Sequence, residues 1–199
     1  MKIITLFVIL CLFMCSGYAL AQNQGKFDFR QTRWGMTMDE VKGAETKAKF
    51  VEHKKVSSWM EYLAYETTLN NVAVSLAYVF MDGKLTRAIY LIDDKFVSKN
   101  RYIEEMDKLK TQLTERYGQP IIDETIWRKD LYKDREEDHG TAYSVGDVET
   151  QTIWLNDRTS LSLNLSGEKF ELHLRLVYSS KETHDEFINR INNDALNDL

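Results

Sequence analysis

The chain has 199 residues, 29% of them charged and 43% hydrophobic, with a formal net charge of −5. This mild acidity argues against a general nucleic-acid or anionic-membrane binder, whose electrostatic footprint is basic. Both cysteines, Cys11 and Cys15, fall within the first 21 residues, so a chain lacking that segment has no disulfide, thiol nucleophile or cysteine metal site.

That segment is the first element. Lys2 precedes apolar Ile3 to Met14, and Ser16-Gly17 and Ala19-Leu20-Ala21 follow, giving the charged start, apolar middle and small-residue end of a secretory signal over residues 1–21. Cleavage near Ala21 is expected, leaving 178 residues (199 minus 21) with a charge of 25 minus 31, or −6, in the periplasm or outside the cell. No later stretch approaches the ~20 consecutive apolar residues of a spanning helix, so the mature chain is expected to be soluble, without a transmembrane segment. A lipoprotein acylated at Cys15 ranks second, because Met14 stands where that signal wants a small residue; an uncleaved anchor ranks third.

Residues 22–26 read as a polar, flexible leader. Thr37 and Glu40 then form a T-x-x-E capping box, with Met36 and Val41 at the staple positions, so a short helix starts at Met38. Trp59 to Leu69 reads as a strand ending at Asn70-Asn71. Val72, Val74, Leu76, Tyr78 and Phe80 alternate with smaller residues, and Asp82-Gly83 supplies the positive-φ pair of a type I′ turn. Leu85, Arg87, Ile89 and Leu91 resume the alternation, which sets Phe80 against Leu85, Leu76 against Ile89 and Val74 against Leu91, with Ala88 on the other face. Tyr102, Met106, Leu109, Leu113 and Tyr117 fall at helical spacing, Glu104 can pair with Lys108, and Gly118 with Pro120 ends that helix.

The lead-in Arg33-Trp34-Gly35-Met36-Thr37 with Glu40-Val41, followed by the hairpin from Tyr78 to Leu85, resembles a motif of small exported bacterial proteins. A helix followed by an antiparallel meander is similar to the BamE-like and β-lactamase-inhibitor-protein-like folds. The resemblance implies a binding or assembly module rather than an enzyme.

Ile121 to Trp127 reads as a strand, and 128–147 as a charged excursion that is either functional or mobile. From Val148 the plan repeats. Val148, Thr150, Thr152 and Trp154 form one strand face, Asn156-Asp157 turns, and Thr159 to Leu165 alternates; Ser166-Gly167 turns again before Phe170 to Tyr178, whose polar positions are Glu171, His173 and Arg175. A second T-x-x-E box, Thr183 and Glu186, opens a terminal helix docking through Phe187, Ile188, Ile191 and Ala195. The expected fold is α+β: a pseudo-duplicated helix plus antiparallel meander, in halves 27–118 and 119–199 or one continuous domain 27–199, with helices on one face of one sheet or two.

No H-E-x-x-H, G-x-S-x-G, P-loop or G-x-G-x-x-G occurs, and the four histidines are scattered. No catalytic residue, cofactor or metal is therefore assigned. Asp134, Glu136, Glu137 and Asp138, beside His139, form the densest acidic cluster, which a calcium ion could use but a solvated loop explains better. Glu171, His173 and Arg175 could form a binding row, although polar-out alternation alone accounts for them. Trp34, in a loop before a helix cap, is the aromatic whose packing role is least evident. The leading reading is a non-enzymatic envelope protein that binds a protein or peptide partner. The alternative is a periplasmic hydrolase or small-ligand-binding protein using the His173/Arg175 strand face.

Overall fold

A computed structural model describes residues 27–93 and 95–197, without the Asn197 side chain. The expected signal peptide, the cleavage point, Cys15 and the 22–26 leader lie outside these residues. Within them, helices α1 (Met38–Ala44), α2 (Asn100–Tyr117), α3 (His139–Ser144) and α4 (His184–Asn197) accompany one eight-stranded antiparallel sheet. The strands are β1 (Lys49–Lys55), β2 (Met60–Leu69), β3 (Val72–Met81), β4 (Lys84–Ile92), β5 (Ile122–Trp127), β6 (Val148–Leu155), β7 (Thr159–Glu168) and β8 (Glu171–Ser180). Their order across the sheet is β1-β2-β3-β4-β8-β7-β6-β5, so β4 and β8 meet at the centre.

The main core lies between one sheet face and α1, α2 and α3. Leu63, Leu76, Tyr78, Trp154, Leu161, Leu163 and Leu174 reach it from the strands, and Val41, Met106, Leu109, Leu113 and Tyr143 from the helices. The helices were expected on this face alone, but α4 packs elsewhere. Phe187 and Ile191 close over Val79, Met81, Met60, Tyr62 and Ile89, which strand alternation places on the opposite face. The second T-x-x-E box does not form: the Thr183 hydroxyl is buried without a partner, and Glu186 pairs with Arg190 at 2.6 Å. At α1 the box is complete, with Thr37 N donating to Glu40 at 2.7 Å and Glu40 N donating to Thr37 Oγ1 at 3.4 Å.

Asp82 (φ 49°) and Gly83 (φ 74°) make the expected turn, and Phe80 faces Leu85. Beyond that pair the register slips at a bulge, so Leu76 faces Tyr90 and Val74 faces Ile92. Tertiary contacts account for the slip. Leu85 gives its N–H to Met36 O and takes that of Gly35, both at 2.8 Å, and buried Thr86 donates to Val79 O at 3.3 Å. One extra residue on a strand reverses every side chain after it. Ala88 and Tyr90 therefore enter the core, whereas Arg87, Ile89 and Leu91 move to the other face.

One strand was not expected, and two further expectations change. The edge strand β1, KFVEHKK, has no alternation to reveal it; an ion pair of Lys49 with Glu66 and a hydrogen bond between His53 and Glu61, both at 2.9 Å, tie it to β2. The β7–β8 turn falls at Lys169 (φ 51°) and Phe170 (φ 69°), not at Ser166-Gly167. On α2 it is Glu105, not Glu104, that meets Lys108, at 3.0 Å, with Arg101 at 2.8 Å.

Candidate functional site

β8 places the expected polar residues on the face opposite the main core. Arg175 pairs with Leu91 of β4 on one side and Asn164 of β7 on the other, and His173 pairs with Ser166. Arg175 is exposed and has no ion pair or hydrogen bond among the described residues, and Glu171 is exposed at the strand's start. Nearby, Asn164 donates to Ser162 Oγ at 3.1 Å. Because of the bulge, Leu91 joins this face, 37% exposed, and towards β5 the face continues through Ile153, Leu155 and Ile126, the last two 43% and 47% exposed. Leu91 was missed in the sequence, where its parity assigned it to the core.

The far end of the same face lies under α4. There the Arg87 guanidinium stacks 3.9 Å from the Phe187 ring, approaches His184 Nδ1 at 3.5 Å and leaves its Nε without a partner. Burial with no carboxylate beside it pulls the Arg87 pKa down to about 10.

Trp34 is not part of this surface. Its indole Nε1 donates to Thr159 Oγ1 at 3.0 Å and its backbone N to Asp28 at 2.9 Å, so it fastens the N-terminal segment to β7. The 128–147 stretch is folded, correcting the picture of an open excursion. Asn100 donates to the Glu136 and Glu137 carbonyls and accepts from Gly140 N at 2.7 Å, while Gly140, Ala142, Tyr143 and Ser144 are buried. Asp138 pairs with Arg135 at 3.0 Å. No group of three or more His, Cys, Asp or Glu placed to hold a metal ion occurs among the described residues.

On the helix side a cleft of about 840 Å³ opens between the N-terminal segment, the C-terminal half of α2 and the β6–β7 turn. Leu109, Leu113, Leu176, Tyr90 and Tyr178 contribute to its lining, as do Arg116 and Arg158. In its wall Arg30 donates to Tyr90 at 3.1 Å and pairs with Glu45 at 2.7 Å, and Tyr78 donates to the same carboxylate at 2.6 Å. Burial acts to lower the Arg30 pKa, but the hydrogen bond to Tyr90 and the Glu45 charge outweigh it and raise it. Burial, then the neighbouring Tyr117 and Tyr90, hold the Tyr178 phenol well above its usual value, which keeps it a neutral donor.

Among the described residues, neither surface assembles a nucleophile with a base. Lys99 Nζ does donate to Ser144 Oγ at 2.7 Å, and Ser144 Oγ to Thr141 O at 2.9 Å, yet Ser144 is fully enclosed, so the pair latches α3 to the start of α2. His173 lines neither the cleft nor any acid–base pair among the described residues. No known family model, curated protein or solved structure matches the chain.

Proposed function

We propose that the protein is a non-catalytic module of the cell envelope that binds a protein or peptide partner through the part of its sheet that α4 leaves open. One observation carries this reading: Leu91 and Arg175, side by side and exposed, share a face with Val177, Ser162 and Asn164 and are covered by none of the described helices. An exposed apolar residue beside an unpaired guanidinium suits a partner bringing an apolar side chain and a carboxylate. The strand order, symmetric about the β4–β8 junction, supports reading the chain as two helix-and-meander halves, as the resemblance to BamE-like and inhibitor-like modules implies. Export rests on the sequence of residues 1–21.

The test is capture of partners from envelope extract with the wild type and with an Arg175→Glu, Leu91→Glu variant that keeps the wild-type circular dichroism. A discrete partner retained by the wild type and lost by the variant is expected. Equal retention by both would place the interface elsewhere.

A small-ligand-binding reading is favoured by the cleft, whose volume falls in the range of ligand sites. It lies on the helix side, away from the His173/Arg175 face. Under this reading Arg116, which has no carboxylate partner among the described residues, would engage an anionic group above the tyrosine and leucine lining.

A further inference from the structure

The two edges of the sheet are built differently. β1 carries Lys49, Lys54 and Lys55 and breaks register between Phe50 and Glu52. Lysines and bulges are the devices that keep an edge strand from pairing. β5, at the other edge, contains no lysine or proline and runs without a register break.

The ladder between β5 and β6 fixes which main-chain groups β5 leaves free. Arg128 N donates to Asp147 O at 2.7 Å, and the Thr125 and Thr150 hydroxyls meet at 2.8 Å. Antiparallel pairs alternate between bonded and non-bonded, and side chains approach most closely in the non-bonded ones. Thr125–Thr150 is therefore a non-bonded pair, and Glu124 and Ile126 make the bonds to β6. The N–H and C=O groups of Asp123, Thr125 and Trp127 point off the edge.

We propose that β5 is the seam of a twofold homodimer, in which two copies pair antiparallel about Thr125 and join their sheets edge to edge. This inference is independent of the partner proposed above. An axis at Thr125 sets Asp123 opposite the second copy's Trp127 and uses every outward main-chain group of β5. It also sets Glu124 opposite the second copy's Ile126, with the second copy's Arg128 on one diagonal and its Glu124 on the other, so no like charges stand directly opposed. On the open face, beside Ile153 and Leu155, Ile126 has the second copy's Ile122 and Ile126 on its two diagonals. An axis at Glu124 would oppose two carboxylates, and an axis at Ile126 would leave fewer strand residues overlapping.

Sedimentation of the protein recovered from cells expressing the full chain is expected to give a dimer, and Thr125→Pro, which removes an outward N–H, a monomer. Register is tested by cysteines at exposed positions, with the linked peptides identified by mass spectrometry. A mixture of Glu124→Cys and Ile126→Cys chains is expected to form a 124–126 disulfide that neither variant forms alone, because the non-bonded spacing of about 4.5 Å lies within disulfide reach. A monomeric wild type, a dimer unaffected by Thr125→Pro, or self-linking of Ile126→Cys would overturn the proposal. Should Thr125→Pro fail to fold, the cysteine mixture decides.

Discussion

Glu45 grips Arg30 with both carboxylate oxygens, Oε2 meeting Nε at 2.7 Å and Oε1 meeting Nη2 at 3.0 Å. Burial alone would raise the Glu45 pKa, but hydrogen bonds from Tyr78 and from the Lys47 and Ala48 amides, with the Arg30 charge, hold it below the ordinary value. A depressed folded-state pKa adds stability above the unfolded-state pKa, and that stability is lost as pH falls through the folded value. Glu45→Gln is expected to cost about 2–3 kcal/mol at neutral pH, where it strands a half-buried guanidinium. The gap to wild type should narrow as pH falls below about 4. Urea unfolding at several pH values checks this, and a gap that persists in acid would contradict it.

Two glycines should respond differently to a side chain. At Gly83 (φ 74°) a Cβ would meet nothing within 4 Å, so Gly83→Val is limited to the backbone cost, about 1–2 kcal/mol. At Gly167 a Cβ would clash with Tyr143 O and lie 2.6 Å from Glu171 O, so Gly167→Ala is expected to cost about 3 kcal/mol. Thermal unfolding that ranked them the other way would refute the packing of α3 against β7.

Much of this fold was legible where signals are local. Asp82-Gly83, the Thr37 box, the periodicity of α2 and the alternation of β6 to β8, apart from Phe170 at the turn, formed as read, because short-range sterics and one-sided burial decide them. Long-range partners decided the rest. The β4 bulge depends on Gly35 and Met36, β1 on a neighbour's charges, and Gly167 on a carbonyl approaching from α3. Of the candidate site, the polar row was visible as alternation. The adjoining Leu91 was not, since one residue of slip reversed its face.

The two T-x-x-E sequences supply a paired comparison. Thr37→Val is expected to cost about 1 kcal/mol because it removes a formed cap. Thr183→Val should be neutral or slightly stabilising, since the lost hydroxyl is buried and unpartnered. Chemical denaturation midpoints distinguish the two.

The polar strand face should tolerate change without loss of stability. His173→Thr and Arg175→Thr are each expected to shift unfolding by no more than about 0.5 kcal/mol, as surface positions do. A larger loss at Arg175 would mean that this face is covered.

Photo-crosslinking from inside the open face tests the proposed function most directly. A photoreactive residue replacing Ser162, between Ile153 and Val177, is expected to give one discrete adduct with a second protein in cells expressing the full chain. The same residue replacing Arg116, across the sheet at the cleft, should give none. An adduct from position 116 alone, or from neither, would contradict partner binding by this face.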